Sequence, residues 1–199
     1  MKRFFCALSL VLTASSFTAQ AQPAVLPDLS ADVQMVQGDK VFGQGKIYMT
    51  QAATRMEMTI QGMSQPLINV SRLDRKVMWM LMPNKTYMEQ PLPWDHAVVN
   101  EVPAGWTQDC GPGEIIDGHP TDKCVIKGTM AGKATSTTIW KAKDLNGIVI
   151  RNIGEGNSGM VLKNIVAMPQ PANLFEIPAG YQKLDPSAGM SGMMKKRGK

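Results

Sequence analysis

Short runs of alternating apolar and polar residues fill most of the chain, and Gly, Asp, Asn or Pro residues separate them. In residues 55–60, for example, Met56, Met58 and Ile60 alternate with polar residues. Since strand side chains point to opposite faces with a period of two, each run predicts a β-strand. The predicted strands span residues 31–35, 40–50, 55–60, 67–72, 76–82, 85–89, 122–128, 134–141, 148–153 and 160–167.

Short turns join these strands, so neighbouring strands should pair antiparallel and the fold should be mainly β. Residues 91–106 differ, because they contain three prolines. Asp95 there is placed to cap a short helix near residues 95–101, which predicts a cover or a crossover connection. To bury its apolar face, an antiparallel sheet of about ten strands must close into a barrel, stack on another sheet or curl around a covering element.

Residues 77–82 are apolar at every position, so this strand has no polar face. Methionine side chains are flexible and suit surfaces that accept variable apolar partners. Trp79 and Leu81 point away from the methionines of their own strand, and the pattern leaves open which face is concave. The predicted apolar ligand-binding wall consists of Met56, Met58, Ile60, Met78, Met80 and Met82.

The first residues have the form of an export signal. Lys2 and Arg3 precede a short apolar run, and Ala19 and Ala21 provide a small-residue cleavage site. We therefore predict a signal peptide over residues 1–21, cleavage after Ala21 and a periplasmic location. A linker over residues 22–29, a domain over residues 30–184 and a disordered, basic, Met-rich tail over residues 185–199 complete the predicted organisation.

The formal net charge of +5 is concentrated at the two ends of the chain. Residues 22–184 contain equal numbers of basic and acidic residues, so we expect no nucleic-acid partner. Lys195, Lys196, Arg197 and Lys199 lie beside methionines in the tail, which would suit weak contact with an anionic membrane surface. Apart from this membrane contact and the ligand, we expect a monomeric protein.

Cys110 and Cys124 are the two cysteines that remain after removal of the signal peptide, which contains Cys6. An even pair of cysteines in an exported protein predicts a disulfide bond. Neither cysteine belongs to a CxxC motif and the chain has only two histidines. We therefore predict no metal site and no cofactor.

Catalytic motifs are not evident. His96 and His119 lie in contexts typical of surface or packing residues, and no nucleophile elbow or metal-protease helix pattern occurs. The glycine-rich residues 154–159 lack the Lys-Ser/Thr pair of a phosphate loop and predict a hairpin turn. We expect the protein not to be an enzyme and to have no catalytic residues.

Several segments together resemble a known family. These are residues 45–49 (GKIYM), 79–83 (WMLMP), 114–119 (EIIDGH), 138–145 (TIWKAKDL) and 174–181 (LFEIPAGY). Over residues 30–184 the chain resembles exported bacterial domains of unknown function related to the outer-membrane lipoprotein carrier (LolA/LolB-like) superfamily. The resemblance implies a curved antiparallel sheet that forms an incomplete half β-barrel, with a short helical segment as cover.

In those carriers the concave side of the half-barrel shields acyl chains. The sequence thus predicts a periplasmic binding protein for an apolar ligand, either a lipid or an acylated protein of the cell envelope. One alternative is a non-enzymatic envelope scaffold or partner-binding protein, in which the methionines only fill a core. A third is a copper(I)-binding protein, because soft thioethers select copper(I).

Overall fold

The computed structural model describes residues 25–62, 65–92, 102, 104–130 and 132–184. Within these ranges 3-10 helices occupy Lys143–Leu145, Glu155–Asn157 and Ala172–Phe175, and no helix there is long and apolar enough to cross a bilayer. The strands are β1 (Leu29–Gln37), β2 (Lys40–Met49), β3 (Ala53–Ile60), β4 (Leu67–Arg72), β5 (Val77–Leu81), β6 (Thr86–Pro91), β7 (Thr107–Pro112), β8 (Thr121–Met130), β9 (Lys133–Ala142), β10 (Ile148–Ile153), β11 (Ser158–Ala167) and β12 (Gln182–Lys183).

All twelve strands belong to one sheet with the order β12-β6-β5-β4-β3-β2-β1-β11-β10-β9-β8-β7. Every described pairing is antiparallel except that of β12 with β6, which is parallel. The sheet is curved and open, with β12 and β7 at its edges. The prediction of a mainly β, curved and unclosed sheet is therefore confirmed. The predicted helix near residues 95–101, the signal peptide and the tail lie outside the described residues.

The turn residues account for the pairing of consecutive strands. Gln37 pairs with Lys40, so only Gly38 and Asp39 form the turn between β1 and β2. Gly38 has a φ of 58°, a conformation that favours glycine in a two-residue hairpin. Residues 154–157 connect β10 to β11, in agreement with the hairpin turn predicted over residues 154–159, of which the last two begin β11.

The sequence pattern missed two strands. Every residue of β7 is exposed, so this strand has no apolar alternation that could reveal it. β12 contains only two residues and forms by pairing with β6, which is distant in sequence. Both are edge strands, which pack on fewer neighbours than central strands do and therefore have a weaker sequence pattern.

Buried apolar residues form two clusters. The main core contains residues of β1, β2, β3, β9, β10 and β11 and of adjoining loops, with Leu29, Val33, Ile150 and Leu162 at most 1% exposed. The second core lies on the half of the sheet formed by β3–β6. It contains Ala53, Val70, Trp79, Leu81 and Phe175.

Candidate functional site

The cross-strand pairing brings the predicted wall residues onto one face of the sheet. Met56 in β3 lies opposite Asn69 in β4, and Asn69 lies opposite Met80 in β5. Directly paired residues of antiparallel strands project to the same side of the sheet. We call this side of β3–β6 the methionine face. Its residues are Thr54, Met56, Met58, Ile60, Leu67, Asn69, Ser71, Met78, Met80, Met88 and Gln90. The sixth predicted wall residue, Met82, directly follows the end of β5.

The six predicted wall residues have two different environments. Met58 is 3% exposed and belongs to the main core, and Met56 packs against that core. Ile60, Met78, Met80 and Met82 are half-buried. In the described part of the chain, neither core cluster includes these four residues. The methionine face therefore passes from a packed interior at β3 to a half-exposed apolar surface at β5.

The opposite side of the same strands is covered by the C-terminal segment, which we define as residues 172–184. Trp79 and Leu81 point to this side and are 5% and 2% exposed. Phe175, in the 3-10 helix of the segment, belongs to the same cluster, and Tyr181 packs against it. Packing therefore distinguishes the two faces of residues 77–82. Trp79 and Leu81 fill the second core, whereas Met78 and Met80 lie on the other face.

Arginine side chains hold the C-terminal segment on the sheet. Arg55 Nη1 donates to the carbonyl of Leu174 over 3.1 Å, and Arg72 Nη1 donates to that of Phe175 over 3.3 Å. The Glu176 carboxylate forms ion pairs with Arg72 and with Arg75. Burial alone would raise the pKa of Glu176, but the hydrogen bonds and positive charges of the two arginines outweigh it and hold this pKa below its ordinary value.

A polar cleft of about 470 Å³ lies between Pro66 and the outer side of β1–β3. Its lining includes Asp32, Gln34, Gln44 and Lys46. Lys46 Nζ donates to Asp32 Oδ1 over 2.8 Å, and this hydrogen bond is the main cause that lowers the pKa of the Asp32 carboxyl. The cleft differs chemically from the methionine face, because five of its nine lining residues have charged or amide side chains.

Asn69 is a residue of the methionine face that the sequence analysis missed. Its Oδ1 atom is buried, and none of the described residues supplies a hydrogen bond to it. Its two direct cross-strand neighbours are Met56 and Met80. The pattern of β4 alone did not single out Asn69, because Leu67, Asn69 and Ser71 read as the more polar face of that strand. Only the pairing with β3 and β5 places it within an apolar row.

The carboxylates near the disulfide bond stabilise the fold locally. Glu114 accepts hydrogen bonds from Trp140 Nε1 over 2.7 Å and from Arg151 Nη1 over 3.2 Å. Asp117 accepts from the backbone N–H of Ile165 over 3.1 Å. Within the described ranges, no three His, Cys, Asp or Glu side chains come together in a group that could hold a metal ion.

Of the two histidines, the structure describes His119 but not His96. His119 Nδ1 lies 2.9 Å from Asp144 Oδ2. His96 lies outside the described residues. The expectation that the protein is not an enzyme stays a prediction.

Cys110 and Cys124 form the predicted disulfide bond, with their Cα atoms 4.0 Å apart. The two residues are direct register partners in β7 and β8, so the bond joins the exposed edge strand to its only described neighbour in the sheet. Cys124 is 1% exposed. The disulfide therefore attaches β7 to the buried side of β8.

Comparison with solved structures shows a shared fold. An uncharacterised conserved protein from Thermus thermophilus is 16% identical with a TM-score of 0.56, over 79% of this chain and 90% of that chain. PNGF-II is 12% identical with a TM-score of 0.54, over 86% of this chain but only 33% of its own. At these identities the similarity establishes the fold alone.

A more distant similarity involves an outer membrane lipoprotein-sorting protein domain from Vibrio parahaemolyticus. The two chains are 8% identical with a TM-score of 0.34, over 75% of this chain and 89% of that one. No protein-family model matches the sequence, and no curated protein matches it either.

Proposed function

We propose that this protein binds an apolar ligand, either a lipid or the acyl chain of an acylated protein, on the methionine face. The main support is the difference between the two sides of β5. On one side, Trp79 and Leu81 pack beneath the C-terminal segment. On the other side, Met78 and Met80 are half-buried and belong to neither cluster of the described core. Among the described residues, the methionine side of β5 is thus an apolar surface outside both packed clusters, which suits an apolar ligand.

The chemistry of the methionine face suits an acyl chain. Each methylene that leaves water contributes about 0.8 kcal/mol, so a chain lying along β4–β6 would bind without any charged contact. Unbranched thioether side chains change rotamer readily and adapt to chains of different length. Such a surface favours a class of apolar ligands over one particular molecule.

We also propose that the ligand is bound in the periplasm. The support is the export signal expected over residues 1–21 together with the Cys110–Cys124 disulfide, since such bonds persist in oxidising compartments. Lipids and acylated proteins of the envelope are the apolar ligands that a protein in this compartment meets.

Met80→Asp tests the binding surface. The charge should weaken binding of a fluorescent fatty acid by roughly tenfold or more, because an acyl chain would bury the carboxylate without a partner. The melting temperature should change little, since the half-buried side chain can still reach water. Titration of the fluorescent fatty acid into the purified protein measures the first effect, and thermal unfolding measures the second.

Met130→Asp is the matched control, because Met130 is 64% exposed at the end of β8 and should leave both quantities unchanged. An unfolded Met80→Asp protein would assign Met80 to a packed core and favour the scaffold alternative. If the binding proposal holds, mass spectrometry of lipids that stay with wild-type protein through purification from the periplasm identifies the natural ligand. Purification without any bound lipid, combined with unaltered fatty-acid binding by Met80→Asp, would contradict the proposal.

A further inference from the structure

Asn69 lies at the centre of a row of side chains that crosses the methionine face. The row runs from Met56 in β3 through Asn69 in β4 to Met80 in β5 and Met88 in β6. The other members of this row are methionines. A carboxamide is therefore surrounded on both sides by thioethers at the point where the main core gives way to the half-exposed surface.

The carboxamide of Asn69 is not satisfied within the described structure. Its Oδ1 atom is buried and has no hydrogen-bond partner among the described residues. A buried polar atom without a partner lowers stability, and in native proteins such an atom usually has a functional or solvent-related explanation. The backbone of Asn69 already pairs with β3 and β5, so the side chain is not needed to hold the strand in place.

An apolar residue of similar size would suit the empty protein better at this position. Leu has nearly the same shape as Asn and would pack between Met56 and Met80 without an unpaired polar atom. Residues that make the fold less stable than another residue would at the same position are typical of binding sites. A hydrogen-bond donor that arrives with the ligand would satisfy Oδ1 of Asn69.

We propose that the methionine face binds an amide-linked acyl chain, whose amide group hydrogen-bonds to the carboxamide of Asn69. This inference rests on the proposed function and specifies the linkage next to the acyl chain. The carboxamide oxygen of Asn69 accepts a hydrogen bond, and the N–H of a secondary amide donates one. An ester offers only acceptors, so it would leave Oδ1 unpaired. The flanking thioethers are flexible and can move aside when the chain enters.

The test compares two probes that differ only at this linkage, N-methyldodecanamide and methyl dodecanoate. Each probe displaces a fluorescent fatty acid from wild-type protein, from Asn69→Leu and from Ser71→Ala. Ser71 lies on the same face two residues along β4, so Ser71→Ala is a matched control for a polar-to-apolar change. Thermal unfolding of all three proteins without ligand accompanies the binding measurements.

Wild-type protein and Ser71→Ala should bind the amide roughly fivefold more tightly than the ester, as expected for one net hydrogen bond. Asn69→Leu should bind both probes equally, with the affinity for the ester retained and the melting temperature unchanged or raised. Equal binding of the two probes by wild-type protein, or a preference that persists in Asn69→Leu, would overturn the inference and leave the proposed function standing.

Two further outcomes are also decisive. A melting temperature that falls in Asn69→Leu would show that the carboxamide stabilises the empty fold, which would overturn the inference. Failure of both probes to displace the fatty acid from wild-type protein, or failure of the fatty acid itself to bind, would overturn the proposed function together with it.

Discussion

Met58 and Met80 lie on the same face of the sheet, two strands apart, yet their surroundings differ. Met58 is 3% exposed and packs in the main core with Val33 and Ile47 as members of the same cluster. Met80 is half-buried, and neither described cluster includes it. At the residue scale, methionine therefore has two roles on this face. It fills space in the core at β3 and forms an adaptable surface at β5.

Truncation to alanine should separate these two roles. Met58→Ala should lower the free energy of unfolding by about 2–5 kcal/mol, because it leaves a cavity in a packed core. Met80→Ala should lower it by less than about 1.5 kcal/mol, because part of the side chain is already in contact with water. Urea denaturation of both variants measures the difference. Equal losses of stability would assign Met80 to the core and weaken the case for a binding surface.

Gly45 shows how a single position controls the distance between two strands. A Cβ atom added at Gly45 in β2 would lie 1.7 Å from the backbone oxygen of Glu57 in β3. This contact involves backbone, so no side-chain movement can relieve it.

Gly45→Ala should therefore destabilise the protein by at least about 1–3 kcal/mol through overpacking. Gly111→Ala is the control, because an added Cβ atom at Gly111 meets nothing within 4 Å. Thermal unfolding measures both variants. A Gly45→Ala protein as stable as Gly111→Ala would show that β2 and β3 can separate at this point.

At the scale of elements, the C-terminal segment is attached mainly through Phe175, Glu176 and β12. Glu176 pairs with Arg72 and Arg75, whose positions along the chain are about a hundred residues away. After Glu176 in the chain, the backbone N–H of Gln182 donates to the carbonyl of Lys85 over 2.9 Å. The backbone N–H of Leu184 donates to the carbonyl of Tyr87 over 2.8 Å. These contacts keep the second core covered on the side of β5 that is opposite the methionine face.

Acid should loosen this attachment. The pKa of Glu176 is lower in the folded protein than its ordinary value of 4.5, so its ion pairs stabilise the fold above about pH 4.5. That contribution is lost as the pH falls through the lower, folded pKa. The melting temperature of wild-type protein should therefore fall more steeply between about pH 5 and about pH 3 than that of Glu176→Gln.

Amide hydrogen exchange locates the effect. At neutral pH, Gln182 and Leu184 should exchange faster in Glu176→Gln than in wild-type protein. Asp122→Asn is the control, since it removes the exposed ion pair of Asp122 with Lys143 at a distant position in the sheet order. Unchanged exchange at β12 in Glu176→Gln would mean that Phe175 and its neighbours hold the segment without the ion pairs.

At the scale of the whole molecule, the sheet is open and its two edges are held in different ways. β12 covers part of β6 through two paired residues of the C-terminal segment. β7 is exposed along its whole length, and the Cys110–Cys124 bond attaches it to β8. An exposed edge strand is a place where sheets fray or pair with other chains. The disulfide reduces the freedom of this edge.

Reduction should therefore destabilise the molecule. A disulfide that closes a loop of this length typically contributes about 2–4 kcal/mol, which corresponds to roughly 4–16 °C in melting temperature for a domain of this size. Intact mass before and after reduction and alkylation establishes the bond, and thermal unfolding with and without reductant measures its contribution. Two thiols that alkylate freely in protein recovered from the periplasm would contradict the bond.

Much of this architecture follows from local sequence patterns. The period-two alternation of residues such as Met56, Met58 and Ile60 places the strands, because strand geometry depends on a few neighbouring residues. Turn residues such as Gly38 determine that consecutive strands pair antiparallel. The even pair Cys110 and Cys124 indicated a disulfide, which the structure contains.

The tertiary structure decided on which side of β5 the C-terminal segment packs. The strand at residues 77–82 is apolar on both faces, so its own pattern is symmetric and cannot choose between Met80 and Trp79. The choice is made by the C-terminal segment, which packs on the side of Trp79 through contacts such as that of Arg55 with Leu174, 119 residues apart. The position of Asn69 between Met56 and Met80 likewise depends on pairing with β3 and β5. Burial and hydrogen bonding at these positions are properties of chain segments that meet only after folding, and no local pattern contains them.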